Sequence, residues 1–310
     1  MMRRSFTIVC ALAIVALCAD ATRAGLVGYW SYENAGNLGQ DSSGLGNNLN
    51  TSGTPSQAAA GGVFGSALEL DGPASTDALV QGGSFPTGVP TGGSTYTTAT
   101  WFNPDVASGG LVGWGNYGTA GQVNAFRMAS STTLLNYWWA NDLFTGDAGD
   151  LVTGSPPAGW HHAVASYDAA SQAHVVYVDG LAVAARSVAP PNVGAANFAL
   201  GKTFSNEYFD GRLDDTAIFD STLAPSQIIG LANQSAQPNA LPAAVDSPLV
   251  ALYRFESSGD LGRDSSHVGN DLTAYGDSVV QAAGRYGSGL QPGGSTALLG
   301  VAKDNLAANA

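Results

Sequence analysis

Charge is scarce in this chain: only 11% of its 310 residues are Asp, Glu, Lys or Arg, under half of the roughly one quarter usual for soluble domains. That scarcity excludes a coiled coil or a long-helix protein, whose surfaces need Glu, Lys and Arg. Basic residues are rarer still, 11 against 24 acidic ones, with no Lys/Arg cluster beyond the N-terminus. A nucleic-acid partner is excluded, because a phosphate backbone needs a basic stripe. Cysteine is confined to Cys10 and Cys18. Apart from Phe6 to Cys18 there is no long apolar run, so no membrane span is expected. Catalytic signatures are missing as well. No Gly-x-Ser-x-Gly elbow and no HExxH occurs, and Gly44-Leu45-Gly46 lacks the third glycine of a dinucleotide loop. Glu69-Leu70-Asp71 begins like a paired-carboxylate hydrolase strand, but position 74 is Ala. His161 and His162 are adjacent, so a strand sends them to opposite faces and they cannot share a metal.

What is present begins with a targeting segment. Arg3 and Arg4, the apolar stretch Phe6–Cys18 and small residues up to Ala21 or Ala24 read as a signal peptide over 1–24. Leu17 stands before Cys18, where a lipidation site would carry a small residue. Cleavage after Ala24 leaves no cysteine, hence no disulfide, thiolate nucleophile or Cys-bound zinc. The product is expected to be secreted or held at the cell surface.

The chain also repeats itself. Residues 26–49 (LVGYWSYENAGNLGQDSSGLGNNL) and 249–272 (LVALYRFESSGDLGRDSSHVGNDL) are identical at 12 of 24 positions with a constant offset of 223. Gln57-Ala58-Ala59 returns as Gln281-Ala282-Ala283. Between the copies, 234–247 has Pro238, Pro242 and small residues, a linker composition. This predicts a domain over 25–233, a linker over 234–247 and a partial second repeat over 248–310. The second repeat is expected not to fold alone, leaving Leu249, Leu252, Phe255 and Leu272 exposed or borrowed by another unit. Within the first unit the apolar period is two. Thr97 to Phe102, Trp160 to Tyr167, His174 to Val178 and Leu213 to Phe219 read as strands, Asp179-Gly180 as a hairpin turn and Pro225 to Ala232 as a short helix. Many short strands over some 200 residues predict an all-β, two-sheet antiparallel jelly-roll sandwich followed by a truncated second copy.

Several segments together resemble the LamG-like jelly rolls of the concanavalin A-like lectin/glucanase superfamily. They are Tyr29-Trp30-Ser31-Tyr32 with the turn Asp41-Ser42-Ser43-Gly44, and Gly65-Ser66-Ala67-Leu68-Glu69-Leu70-Asp71-Gly72. Ala99 to Pro104, Trp160 to Val164, Tyr177-Val178-Asp179-Gly180, and Phe209 to Asp215 followed by Leu223-Ala224-Pro225 complete the set. The resemblance covers nearly all of the first unit. It implies that the first and last strands are neighbours, that Trp101 and Trp160 fill the space between the sheets, and that Trp30 and Tyr32 belong to the core.

Two candidate sites follow. Asp41 and Asn47 form an oxygen-rich turn. With Asp214 or Asp215 brought beside it by the implied strand order, the set suits Ca2+, which takes six to eight oxygens. For a saccharide, Trp138, Trp114 and Tyr117 are the candidate stacking residues, with Trp138 on the opposite strand face from Tyr137 and Trp139. The resulting expectation is a secreted, non-catalytic recognition or adhesion protein binding carbohydrate, a cell-surface glycoconjugate or a surface protein. The alternatives are a carbohydrate-active enzyme or its accessory module, and a structural surface component with no small ligand.

Overall fold

The computed structural model describes residues 25–146, 148, 151–152, 159–242, 255, 261, 273–275, 279–283, 288–292 and 298–300. Residues 1–24, expected to be a signal peptide, and much of the expected second repeat lie outside them. No described helix is long and apolar enough to cross a membrane.

Two antiparallel sheets face each other. The strands are β1 (Leu26–Trp30), β2 (Leu49–Ser52), β3 (Ser56–Ala58), β4 (Ala67–Asp71), β5 (Ala78–Gln81), β6 (Tyr96–Pro104), β7 (Gly109–Gly115), β8 (Val123–Ser130), β9 (Thr133–Tyr137), β10 (Leu143–Phe144), β11 (His161–Asp168), β12 (Ala173–Val178), β13 (Leu181–Ser187), β14 (Ala199–Leu200) and β15 (Asp210–Phe219). A single helical turn, α1 (Gly72–Ser75), joins β4 to β5, and α2 (Pro225–Ala232) follows β15. An eight-stranded sheet runs β13-β12-β11-β6-β15-β4-β3, with β1 also on β15. A seven-stranded sheet runs β10-β9-β8-β7-β14-β5-β2. The all-β sandwich and the pairing of first and last strands are as the sequence predicts.

Alternation explains the layers. On β6, Phe102 enters the core between the sheets, while Ala99 and Trp101 point to the outer face. On β11, Ala163 and Ala165 face inward and Val164 outward. The adjacent histidines part as expected: His161 lies against Phe102 and His162 against Trp101, with ring centroids 5.8 and 5.0 Å apart. The eight-stranded sheet is therefore buried on both faces. Helix α2 covers Tyr29, Ala99, Ala217 and Phe219 with Ile228 and Leu231, while Trp101 and Trp160 pack with Ala67, Ala58 and Val63. The expectation that these two tryptophans sit between the sheets is corrected. They are buried beneath the 58–66 connection on the outside of the sheet, because the inward positions of β6 belong to the opposite parity. Trp30 and Tyr32 are core residues as expected.

The two-residue turn Asp179-Gly180 joins β12 to β13 with φ of 50° and 81°, the left-handed pair a type I′ hairpin requires. The sandwich also extends past residue 233: Leu241 packs with the α2 layer and Gln227 Nε2 donates to the Pro242 carbonyl at 2.9 Å.

Four short strands described beyond residue 242 pair in two hairpin-like couples that parallel pairings of the sandwich. The described strands are β16 (Thr273–Tyr275), β17 (Val279–Ala283), β18 (Ser288–Pro292) and β19 (Leu298–Gly300). β17 pairs with β18 so that Gln281 faces Leu290, as Gln57 on β3 faces Leu68 on β4. β16 pairs with β19 so that Ala274 faces Leu299, as Thr51 on β2 faces Leu79 on β5. Gln57 Nε2 donates to the Tyr32 carbonyl at 2.6 Å, and Gln281 Nε2 to the Phe255 carbonyl at 2.7 Å. Tyr32 and Phe255, 223 positions apart, both hold φ near 58°. Phe255 is half-buried; Leu249, Leu252 and Leu272 lie outside the described residues.

Candidate functional site

The acidic residues singled out by the sequence occupy two structural devices. Asp41 closes its own turn: Oδ1 accepts from the Tyr29 and Ser43 amides (3.0 and 2.8 Å), and Oδ2 from Ser43 Oγ and the Asn47 amide (both 2.8 Å). Asn47 ties this turn to its surroundings, donating to the Val27 and Thr87 carbonyls and accepting from the Thr87 amide. Asp214 and Asp215 lie on β15 where its partner changes from β4 to β1. Leu213 and Ile218 both face the core although five positions apart, which regular alternation forbids. A bulge at Asp215, with φ 45°, supplies the extra residue and turns both carboxylates to the outer face. There Asp214 accepts from the Phe64 amide (2.9 Å), and Asp215 from the Tyr29 hydroxyl (2.5 Å) and Gln237 (3.4 Å).

Both carboxylates are almost fully buried. Burial pushes both carboxyls above the usual range, Asp214 further because the Asp215 charge adds to it. Tyr29 connects the two devices, its amide on Asp41 and its hydroxyl on Asp215. In the fold every carboxylate and amide oxygen of this set accepts a hydrogen bond. Among the described residues no group of three or more His, Cys, Asp or Glu is disposed to hold a metal.

The tryptophans singled out for stacking are core residues. Trp114 is buried on Phe198, with its indole N–H on the Pro90 carbonyl at 2.8 Å. Trp138 is buried parallel to His174 at 4.4 Å and donates to the Tyr96 hydroxyl at 3.3 Å. Alternation separates Trp138 from Tyr137 and Trp139 as expected, but the face carrying Trp138 is the inner one. His174 completes this inner cluster through Nε2 on Asn136 Oδ1 at 2.6 Å, and burial lowers its pKa to about 3. His162, buried on the other face, is lowered to about 4 for the same reason.

Tyr117 alone of the three lies on an outer surface, that of the seven-stranded sheet. Its hydroxyl rests on Gly113 of β7, where an added Cβ would meet it at 2.3 Å and the ring would have to shift. Its ring stacks on Phe204 (5.6 Å, 27°), and Trp139 stands edge-on to both at 5.9 and 4.7 Å. Phe204 is 40% exposed. Beside Tyr117 and Phe204 opens a groove of about 360 Å3, lined further by Gln81, Asn197, Lys202 and Thr203. Glu207 fixes the connection carrying Phe204: it pairs with Arg127 and accepts from Tyr137 (2.8 Å), Thr203 (2.5 Å) and the Phe204 amide (3.2 Å). Phe204, Lys202 and Glu207 were missed in the sequence, where the 201–209 connection has no periodicity. The one available signal was Glu207 itself, one of four glutamates.

Chemically, the groove offers rings, amides, hydroxyls and one ammonium. Among the described residues no carboxylate lines it, and the nearby Glu207 is engaged by Arg127, Tyr137, Thr203 and the Phe204 amide.

The family model Laminin_G_3, described as concanavalin A-like lectin/glucanases superfamily, matches residues 77–229. Over those residues the sandwich is similar to that superfamily. Among solved structures, the binding domain of botulinum neurotoxin serotype G shares 12% identity with a TM-score of 0.51, covering 68% of this chain and 51% of that one. The binding domain of botulinum neurotoxin DC in complex with SialylT shares 11% with a TM-score of 0.50, covering 68% and 52%. Domain 4 of AbnA, a GH43 extracellular arabinanase from Geobacillus stearothermophilus, in complex with arabinotriose, shares 23% with a TM-score of 0.47, covering 67% and 98%. The chain spans about half the length of the toxin binding domains it matches, and at these identities the likeness is one of fold. No curated protein sequence matches the chain.

Proposed function

We propose that the sandwich is a non-catalytic carbohydrate-recognition module of a secreted or surface-held protein, and that the groove over the seven-stranded sheet is its platform. The observation that carries this reading is the exposed Phe204 ring, stacked on Tyr117 and braced by Trp139 beside a groove lined by amides and hydroxyls. A sugar lays its C–H face on such rings and turns its hydroxyls to neighbouring polar groups. The lack of a carboxylate in the groove supports binding over hydrolysis there. Toxin binding domains share the fold, which makes a protein receptor the second reading; the exposed aromatic platform favours saccharide. The repeated strand pairings support a partial second repeat of the same kind over 248–310.

Calcium is proposed from the sequence alone. An ion shared by Asp41, Asn47 and Asp214 or Asp215 would have to displace the amide donors that now fill Asp41, and a melting temperature in millimolar Ca2+ above that in EDTA would establish it. The test of the platform is a glycan array probed with residues 25–242 and with Phe204→Ala. Saccharide binding lost in the variant supports the reading; binding that ignores the substitution refutes it.

A further inference from the structure

Resting on that platform reading, we infer that the groove takes a carboxylated saccharide, whose carboxylate sits on the Lys202 ammonium while its ring lies on Phe204. Lys202 is one of only two lysines in the sequence. The described ion pairs join Arg127 to Glu207, Arg212 to Glu69 and His161 to Asp179; Lys202 is in none of them. In a chain with more than twice as many acidic as basic residues, a cation left without a carboxylate at a groove wall stands out. Lys202 is also held in place. Its Nζ donates to the Tyr208 hydroxyl at 2.9 Å and lies 4.4 Å from the centre of that ring. An ammonium has three donors, and the Tyr208 hydroxyl takes one. The neighbouring negative charge is already spent, because Glu207 is paired with Arg127 and accepts three further hydrogen bonds. The groove wall thus presents a fixed positive charge beside an aromatic face with no competing anion in its lining. A uronate or sialate ring supplies the matching pair of an apolar C–H face and a carboxylate.

The net charge of −13 sets the form of the ligand. A long polyanion is repelled by the rest of the surface, so a short oligosaccharide is the fitting probe. A charge-assisted hydrogen bond in a half-buried site is worth about tenfold in affinity, and added salt reduces that gain.

The experiment is calorimetric titration of the full chain, at low ionic strength, with trigalacturonate and with its methyl ester, which keeps the ring and removes the charge. The acid is expected to bind about tenfold more tightly than the ester. Lys202→Gln should abolish the preference while leaving ester binding in place, which also reports that the variant is folded, and Lys202→Arg should restore it. A second arm, sialyllactose against lactose, tells whether the carboxylate belongs on a uronate or a sialate, and a Lys202-dependent preference in either arm supports the inference. Equal binding of acid and neutral forms in both arms, or a preference that survives Lys202→Gln, overturns it. Phe204→Ala separates the two readings: weakened binding of acid and ester alike leaves the platform standing without the charge, whereas no effect removes both.

Discussion

Replacing His174 by Gln tests the inner polar cluster through the pH dependence of stability. The imidazole is fully buried, stacked on Trp138 and bound to Asn136. Its Nδ1 has no partner, so a proton added there has nowhere to go. Burial lowers its pKa to about 3, with the Arg186 charge adding to the effect. In the unfolded chain the value returns to about 6.5. A base whose folded pKa is depressed stabilises the fold fully above its unfolded pKa and loses that contribution as pH falls toward the folded one. At pH 5 the unfolded chain has taken up a proton that the folded chain refuses, which costs about 2 kcal/mol relative to pH 8. Gln keeps an N–H for Asn136 and cannot titrate. It forfeits the stack, worth about 1 kcal/mol, so at pH 8 the variant should be the less stable. By pH 5 the deficit should shrink by about 2 kcal/mol and vanish or reverse. Asp214 and Asp215 act in the opposite sense, because their raised carboxyls take up protons in the folded state as pH falls. Comparing variant with parent at each pH cancels them. Urea unfolding at pH 8 and pH 5, followed by tryptophan fluorescence, gives the four free energies. A deficit that is the same at both pH values refutes the reasoning.

Asp215→Asn should stabilise the fold above neutral pH, where the raised carboxyls of the pair lose their shared advantage; Tyr29 and Gln237 can both bond an amide, and urea midpoints at pH 9 against pH 6 report the flatter profile. Gly113→Val should push Tyr117 off the sheet, at about 1–3 kcal/mol of overpacking, and reduce saccharide affinity more than it reduces the melting temperature at which the sandwich unfolds. Gln57→Ala should lower sandwich stability by about 1 kcal/mol through the lost bond to Tyr32, whereas Gln281→Ala should speed amide exchange in 279–292 and leave the sandwich transition where it is.

The fold was legible because its signals are local. Period-two runs, the Asp179-Gly180 turn and the Pro225 helix start each announce themselves within a few residues, whereas the linker expected over 234–247 is in part packed on the sandwich through Leu241 and Pro242. The site was less legible because alternation assigns residues to two faces without saying which is inward. Trp138 and Trp139 are neighbours in sequence, yet one is stacked on His174 in the core and the other stands beside Phe204. The partner that decides this, in each case, lies tens of residues away. Trp101 was misplaced for the same reason, since both faces of its sheet are covered. The bulge at Asp215 left no mark in the pattern at all, although it governs where two carboxylates point.

The pairing of β1 with β15 sets a clock. Leu26 waits for Phe219, about 190 positions later, and at about 5–20 residues per second of synthesis that is roughly 10–40 s. During that interval β3 and β4 can already zip, and β2 and β5 as well, but the edges they will offer to β15 and β14 stay bare. The chain is therefore obliged to linger as loose hairpins. Were the chain exported through a narrow pore, as is expected of its first 24 residues, that lateness would be useful: a barrier built from contacts between the two ends of the module would keep it threadable until almost all of it had been made.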